Sequence, residues 1–197
     1  MDPAAIEKAQ QRLEKAAAYI KQIKAAKNYA EFQSAWTDFL IAMNTIYAAL
    51  EQGSKAIPQS RQWFGTQKRE RRKDPLLQYL HQARNADEHG IKPISALKPG
   101  KMELRAEGSV LIKRLAVTGG QVLLDAEPNP QGKLAVAVTP GAAVLVPVTD
   151  DRFGTSFDPP SEHLGKPLTD ASPIAVAELG FAFHEALVAE ATTLLGR

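Results

Sequence analysis

The segment 76-LLQYLHQARNADEHGI-91 holds the residues whose types and spacing best suit chemistry. Arg84 offers a permanent planar cation that can grip a phosphate in bidentate fashion, and His89 carries an imidazole, the side chain most often used to move a proton. Asn85, directly after the arginine, is a polar group able to orient either one. Five positions of an unbroken helix correspond to about 500° of rotation, so the two side chains leave the helix about 140° apart. The spacing therefore predicts that they converge only if the last turn unwinds, and Gly90 is placed to allow this through a left-handed conformation. A plainer reading stands beside it: Arg84 reaches into solvent or pairs with Asp87 or Glu88, and His89 caps the negative end of the helix.

The element that must carry these groups is a helix opened by Asp74 and Pro75, a capping acceptor followed by proline at the first turn. Leu76, Leu77, Leu80 and Ala83 recur at three- and four-residue spacing and form its buried face. Two longer helices precede it. Ile6, Ala9, Leu13, Ala16, Ile20 and Ile23 stripe a helix from about Pro3 to Lys27, and Phe32, Trp36, Phe39, Leu40, Met43 and Ile46 stripe a second from about Ala30 to Gln52. The alanines of the first stripe predict close packing, and the short break at Asn28 and Tyr29 predicts an antiparallel pair. Residues 55 to 74 read as a long connection, pinned to the bundle by Trp63 and Phe64 and carrying the basic run Lys68, Arg69, Glu70, Arg71, Arg72, Lys73.

Composition bounds the rest. The chain has 197 residues, 44% hydrophobic and 23% charged, and no cysteine, which excludes disulfides, thiolate metal sites and cysteine nucleophiles. No run approaches ~18 uninterrupted apolar residues and the N-terminus does not read as a signal peptide, so the expectation is a cytoplasmic protein with no membrane association. The net charge is only +2, but between Lys55 and Lys92 nine Lys or Arg face four acids. An anionic partner would be steered to that stretch.

Beyond Gly90 the periodicity changes. Residues 92 to 100 read as a turn-rich linker, and strands follow at 102–106, 110–117, 121–126, 134–139 and 142–148, separated by Gly108, Gly119 with Gly120, 128–132 and 140–141. Short strands and short links predict an antiparallel meander, a structural platform or dimer contact without chemistry of its own. In the loop after residue 148, Asp150, Asp151, Asp158 and His163 match no metal-ligand spacing, and no metal or cofactor is expected. His163 remains a candidate supporting or substrate-contacting residue. Ser172 and Pro173 open a last helix whose apolar face also carries His184, either a core histidine or a group aimed at Arg84 and His89.

The expected architecture is α+β: a four-helix bundle from residues 1–91 and 172–197, an antiparallel β insertion at 101–149 between the third and fourth helices, and a long ordered loop at 150–171. At this point the chain resembles the HEPN superfamily, small helical bundles whose ribonuclease members carry an arginine, four to six intervening residues and a histidine at a helix end, with a polar residue after the arginine. The matching residues are 84-RNADEH-89, and the resemblance covers the helical parts. It implies metal-independent RNA cleavage, with Arg84, Asn85 and His89 catalytic. The basic run of Lys68, Arg69, Arg71, Arg72 and Lys73, by its charge and its place just before that helix, reads as a nucleic-acid contact, or else as a solvated face that keeps the protein soluble. The resemblance also implies a homodimer that sets two motifs across one cleft with the basic run near its mouth. Members that bind nucleotide, RNA or a protein partner such as an antitoxin without cutting supply the alternative, and a structural or interaction domain without a chemical site is the third reading.

Overall fold

The computed structural model describes residues 1–118, 121–128, 132–150 and 153–195. The turn expected at Gly119 and Gly120, most of the turn expected at 128–132, and Asp151 lie outside them. The described residues divide into two units, residues 1–96 with 143–197, and residues 97–142. The fold is α+β, with five α-helices and small antiparallel sheets among the described residues.

In the first unit, α1 (Pro3–Ala25) and α2 (Tyr29–Gly53) form the expected antiparallel pair. Asn28 caps α2, its side chain accepting from the Glu31 N–H, and the Asp2 N–H donates to the Gly53 carbonyl at 3.1 Å, so the start of one helix meets the end of the other. The alanine stripe does what close packing requires: Ala9 and Ala16 are fully buried. A Cβ on Gly53 would lie 2.3 Å from the Ala5 Cβ, which leaves room for nothing larger than hydrogen there.

Residues 58–73 form a helix, α3 (Pro58–Lys73), where the sequence reading expects a connection. Pro58 sits at its first position, where a missing N–H costs nothing. Its inner stripe runs Ser60, Phe64, Lys68 and Arg71, helical spacing in which the last two positions cover the bundle with aliphatic stems instead of hydrophobic side chains. Trp63 and Phe64 do pin the segment: Phe64 is buried, with its ring 4.8 Å from that of Tyr47.

The helix α4 (Pro75–His89) opens as expected, the Asp74 carboxylate accepting from the Leu77 N–H at 2.9 Å. It buries Leu76, Leu77, Tyr79, Leu80 and Ala83. Ser172 likewise caps α5 (Pro173–Thr192), its hydroxyl accepting from the Ala175 N–H. Where α4 meets α5, a Cβ on Gly180 would fall 2.5 Å from Leu80 Cδ1. Trp36, Phe39, Leu40, Ile46 and Leu50 of α2 join Leu76, Leu77 and Tyr79 of α4 and Val176 of α5 at the centre of the core. No helix of the described residues is long and apolar enough to cross a membrane.

The segment from residue 143 packs within this unit, with Leu145 and Val148 in its core and Tyr79 Oη donating to the Val146 carbonyl at 2.9 Å. Two short antiparallel pairs follow along it. They join β7 (Val148–Asp150) to β8 (Thr155–Phe157), and β9 (Glu162–His163) to β10 (Lys166–Pro167).

Strands occur where alternation predicts them, but their pairing is nested instead of a meander. Within residues 97–142, β2 (Lys101–Glu107) pairs with β5 (Lys133–Thr139), and β3 (Val110–Thr118) pairs with β4 (Gln121–Pro128). A further pair joins β1 (Ser95–Lys98), inside the expected linker, to β6 (Ala142–Leu145). Gly108, at φ 74°, reads in sequence as a hairpin turn. In the structure the outgoing arm continues past it, because the opposed positions keep rising on one arm and falling on the other, from Glu107 opposite Lys133 to Val110 opposite Pro128.

Candidate functional site

Helix α4 stays intact through His89, and Gly90 ends it with φ −100° and ψ 172°, an extended conformation and not the left-handed one anticipated. Arg84 and His89 nevertheless converge, because Glu88 stands between them. Its Oε2 lies 2.5 Å from Arg84 Nη1 and 3.4 Å from His89 Nε2, and its Oε1 accepts from Arg84 Nη2 at 2.6 Å. The angle of about 140° separates only the directions in which the two side chains leave the helix. Arginine and glutamate are long enough to cross that angle, so unwinding is not needed.

The network extends toward the helix start. Arg84 Nη1 also donates to Asn85 Oδ1 at 3.3 Å, and Asn85 Nδ2 lies 3.4 Å from His81 Nε2. Burial, together with the positive fields of Arg71 and Arg84, lowers the His81 pKa to about 4. The ring is therefore neutral at pH 7, and its Nε2 accepts from the asparagine amide. His81, Asn85 and His89 fall at i, i+4 and i+8, one stripe of the helix. Asn85 and His89, with Gln82, Thr149, Asp150 and Phe153, line an open groove of about 400 Å³. Arg84 sits beside this stripe, its side chain only 22% exposed, whereas that of His89 is 73% exposed. One cation and one exposed imidazole thus share a carboxylate at the edge of an open groove.

The basic run divides by helical face. Arg69, Arg72 and Lys73 are exposed on the outer side of α3. Lys68 pairs with Glu51 at 2.9 Å, and the Arg71 guanidinium lies 3.6 Å above the Tyr47 ring. Lys73 stands two residues before the start of the 15-residue α4 and His89 is its last residue, so the rest of the helix, roughly 21 Å, lies between them.

His163 and His184 fall elsewhere. His163 Nδ1 lies 3.0 and 3.1 Å from the two oxygens of Asp74, and both residues are buried. The same carboxylate accepts from the Leu164 N–H at 2.6 Å and caps α4, so it organises two segments 89 residues apart. His184 is a core histidine: its Nδ1 donates to the Gly180 carbonyl at 2.8 Å, and burial lowers its pKa to about 4. It lines an interior space of about 20 Å³ with Asn44, Tyr47, Arg71 and His81, room for about one water molecule.

The sequence reading that names Arg84, Asn85 and His89 as candidates thus falls on one connected network. It raised Glu88 only beside Asp87 as an acid open to pairing with Arg84, and it passed over His81, whose spacing from Asn85 and His89 was the available signal. No signal of spacing announced the Asp74–His163 pair. No family model matches the chain, and neither a curated protein nor a solved structure matches it.

Proposed function

We propose that the protein binds RNA and cleaves it without a metal ion, as the resemblance to HEPN ribonucleases implies. The observation that carries this reading is the meeting of Arg84 and His89 at Glu88 beside the open groove. A backbone phosphate entering the groove competes with Glu88 for the Arg84 guanidinium, whose planar donors suit either oxyanion. His89 Nε2 takes the proton of the ribose 2′-hydroxyl as general base. The 2′-oxygen attacks phosphorus, the P–O5′ bond breaks, and the leaving oxygen collects a proton, giving a 2′,3′-cyclic phosphate and a 5′-hydroxyl. Arg84 stabilises the negative charge that builds on the phosphoryl oxygens. Asn85, hydrogen-bonded to Arg84, positions the guanidinium. The requirement for a 2′-hydroxyl makes RNA and not DNA the substrate. A homodimer that doubles the motif belongs to the same reading.

A second reading is favoured by one feature. Glu88 neutralises Arg84 through two short contacts, an arrangement that suits a protein that binds RNA or a partner without cutting. Incubating RNA in EDTA with the purified protein and with His89→Ala separates the two. Cleavage by the first and not the second supports the enzyme, and RNA binding without cleavage by either supports the binding module.

A further inference from the structure

The unit of residues 97–142 contains no buried residue among those described. A two-stranded ribbon alone in water is at best marginally stable, and three or more strands with a shared apolar face are needed for independence. Among the described residues, each of its long strands has one paired edge and one open edge. The pairing of β2 with β5 gathers Met102, Leu104, Ala106, Leu134, Val136 and Val138 on one face, where Val136 and Val138 are 43% and 54% exposed. The other face of β2 carries Lys101, Glu103, Arg105 and Glu107, alternating in sign.

Along the strand Glu103 pairs with Lys101 at 2.5 Å and with Arg105 at 3.4 Å, but none of these three has a charged partner across the β2–β5 ladder. Across the ladder Lys101 faces Thr139, Glu103 faces Ala137 and Arg105 faces Ala135; only Glu107 meets an opposite charge, Lys133. The β3–β4 ladder is different, since Arg114 opposes Asp125 and Lys113 pairs with Glu127.

We propose that β2 pairs antiparallel with β2 of a second copy of this chain, about a twofold axis at Leu104. In that register Lys101 opposes the partner's Glu107, Glu103 opposes the partner's Arg105, Met102 opposes the partner's Ala106, and the two Leu104 side chains meet. Opposite charges directly across a ladder stabilise it and like charges destabilise it. Slipping the register by two residues in one direction sets Glu103 against Glu103 and Lys101 against Arg105. Slipping it in the other sets Arg105 against Arg105 and Glu103 against Glu107. A slip of one residue puts charged side chains on the apolar face.

No other strand of the ribbon has this self-complementarity: β3 carries only Lys113 and Arg114, β4 only Asp125 and Glu127, and β5 only Lys133. The product is a four-stranded sheet in the order β5, β2, β2, β5 with one continuous apolar face. This association rests on the ribbon alone and holds whether or not RNA is cut.

Sedimentation velocity of the full chain over a concentration series reads the dimer directly. Glu103→Lys and Arg105→Glu should each weaken association at least tenfold, because either sets like charges opposite each other twice. Combining E103K with R105E should restore it. The chain has no native cysteine, so Leu104→Cys should form a covalent dimer on mild oxidation, whereas Val117→Cys should not. A wild-type chain monomeric throughout the micromolar range overturns the proposal. So does a dimer that neither charge reversal weakens, or one in which Leu104→Cys fails to cross-link.

Discussion

Arg84 and Glu88, one helical turn apart, form a two-contact ion pair with nitrogen–oxygen distances of 2.5 and 2.6 Å, and His89 lies 3.4 Å from the same carboxylate. Under the RNA proposal Glu88 is a competitor for the phosphate.

Glu88→Gln should therefore tighten RNA binding and steepen its salt dependence, since one more cation becomes available to phosphate and the slope of log K against log salt grows by about 0.7 for a single strand. The pair is partly exposed, so its loss should change folding stability by less than ~1 kcal/mol. Filter binding across a salt series checks this; unchanged affinity and slope would show that Arg84 does not meet the phosphate.

The division of the basic run by helical face makes a separate prediction. Replacing Arg69, Arg72 and Lys73 together by alanine should weaken RNA binding and flatten the salt slope by about 2, with little effect on unfolding. Arg71→Ala should do the reverse, lowering stability by ~1–2 kcal/mol through the lost stacking and packing on Tyr47. Paired denaturation and binding curves distinguish the two faces, and equal effects of both variants on binding would contradict the division.

Stability should fall in mild acid. Burial, more than the neighbouring positive charge of Arg71, holds His184 at about 4, while its hydrogen bond to Gly180 acts the other way. In the unfolded chain a histidine titrates near 6.5, so between about 6.5 and 4 the unfolded state binds more protons. The full contribution is present above about 6.5 and is lost as pH falls toward 4, at up to about 1.4 kcal/mol per pH unit. His81, lowered to about 4, acts in the same sense. Urea denaturation from pH 7.5 to 4.5 should show this decline, with a shallower one for His184→Gln; parallel declines would contradict the assignment.

Asp74→Ala should be among the most destabilising single changes on α4, by ~3 kcal/mol or more. It strips a buried acceptor from His163, from the Leu164 N–H and from the N-terminus of the helix at once. Asp74→Asn, which keeps one acceptor oxygen, should lose less. A thermal melt of both variants tests the order.

Much of the helical unit was legible because its signals are local. Asp74 with Pro75 and Ser172 with Pro173 mark helix starts through chemistry confined to one turn, and the stripes of α1, α2 and α4 repeat apolar residues at helical spacing. Helix α3 was hidden because Lys68 and Arg71 occupy its inner face with their stems, so a count of apolar residues finds only Trp63 and Phe64. Nested pairing was hidden because a glycine between two strands marks a reversal and a pass-through equally well. At the site, residue types pointed to Arg84 and His89, but the geometry that joins them depends on the reach of Glu88, which angular spacing does not capture. The Asp74–His163 pair joins positions 89 residues apart and leaves no periodic trace.

The central claim is most directly tested on an oligoribonucleotide, with the protein in excess and EDTA present, by reading the ends of the products by mass. Expected are fragments ending in a 2′,3′-cyclic phosphate and a 5′-hydroxyl, no cutting of the all-deoxy strand, and a loss of about 100-fold or more in rate for His89→Ala and Arg84→Ala. Cleavage at the wild-type rate by His89→Ala, or products with 5′-phosphate and 3′-hydroxyl ends, would contradict that claim.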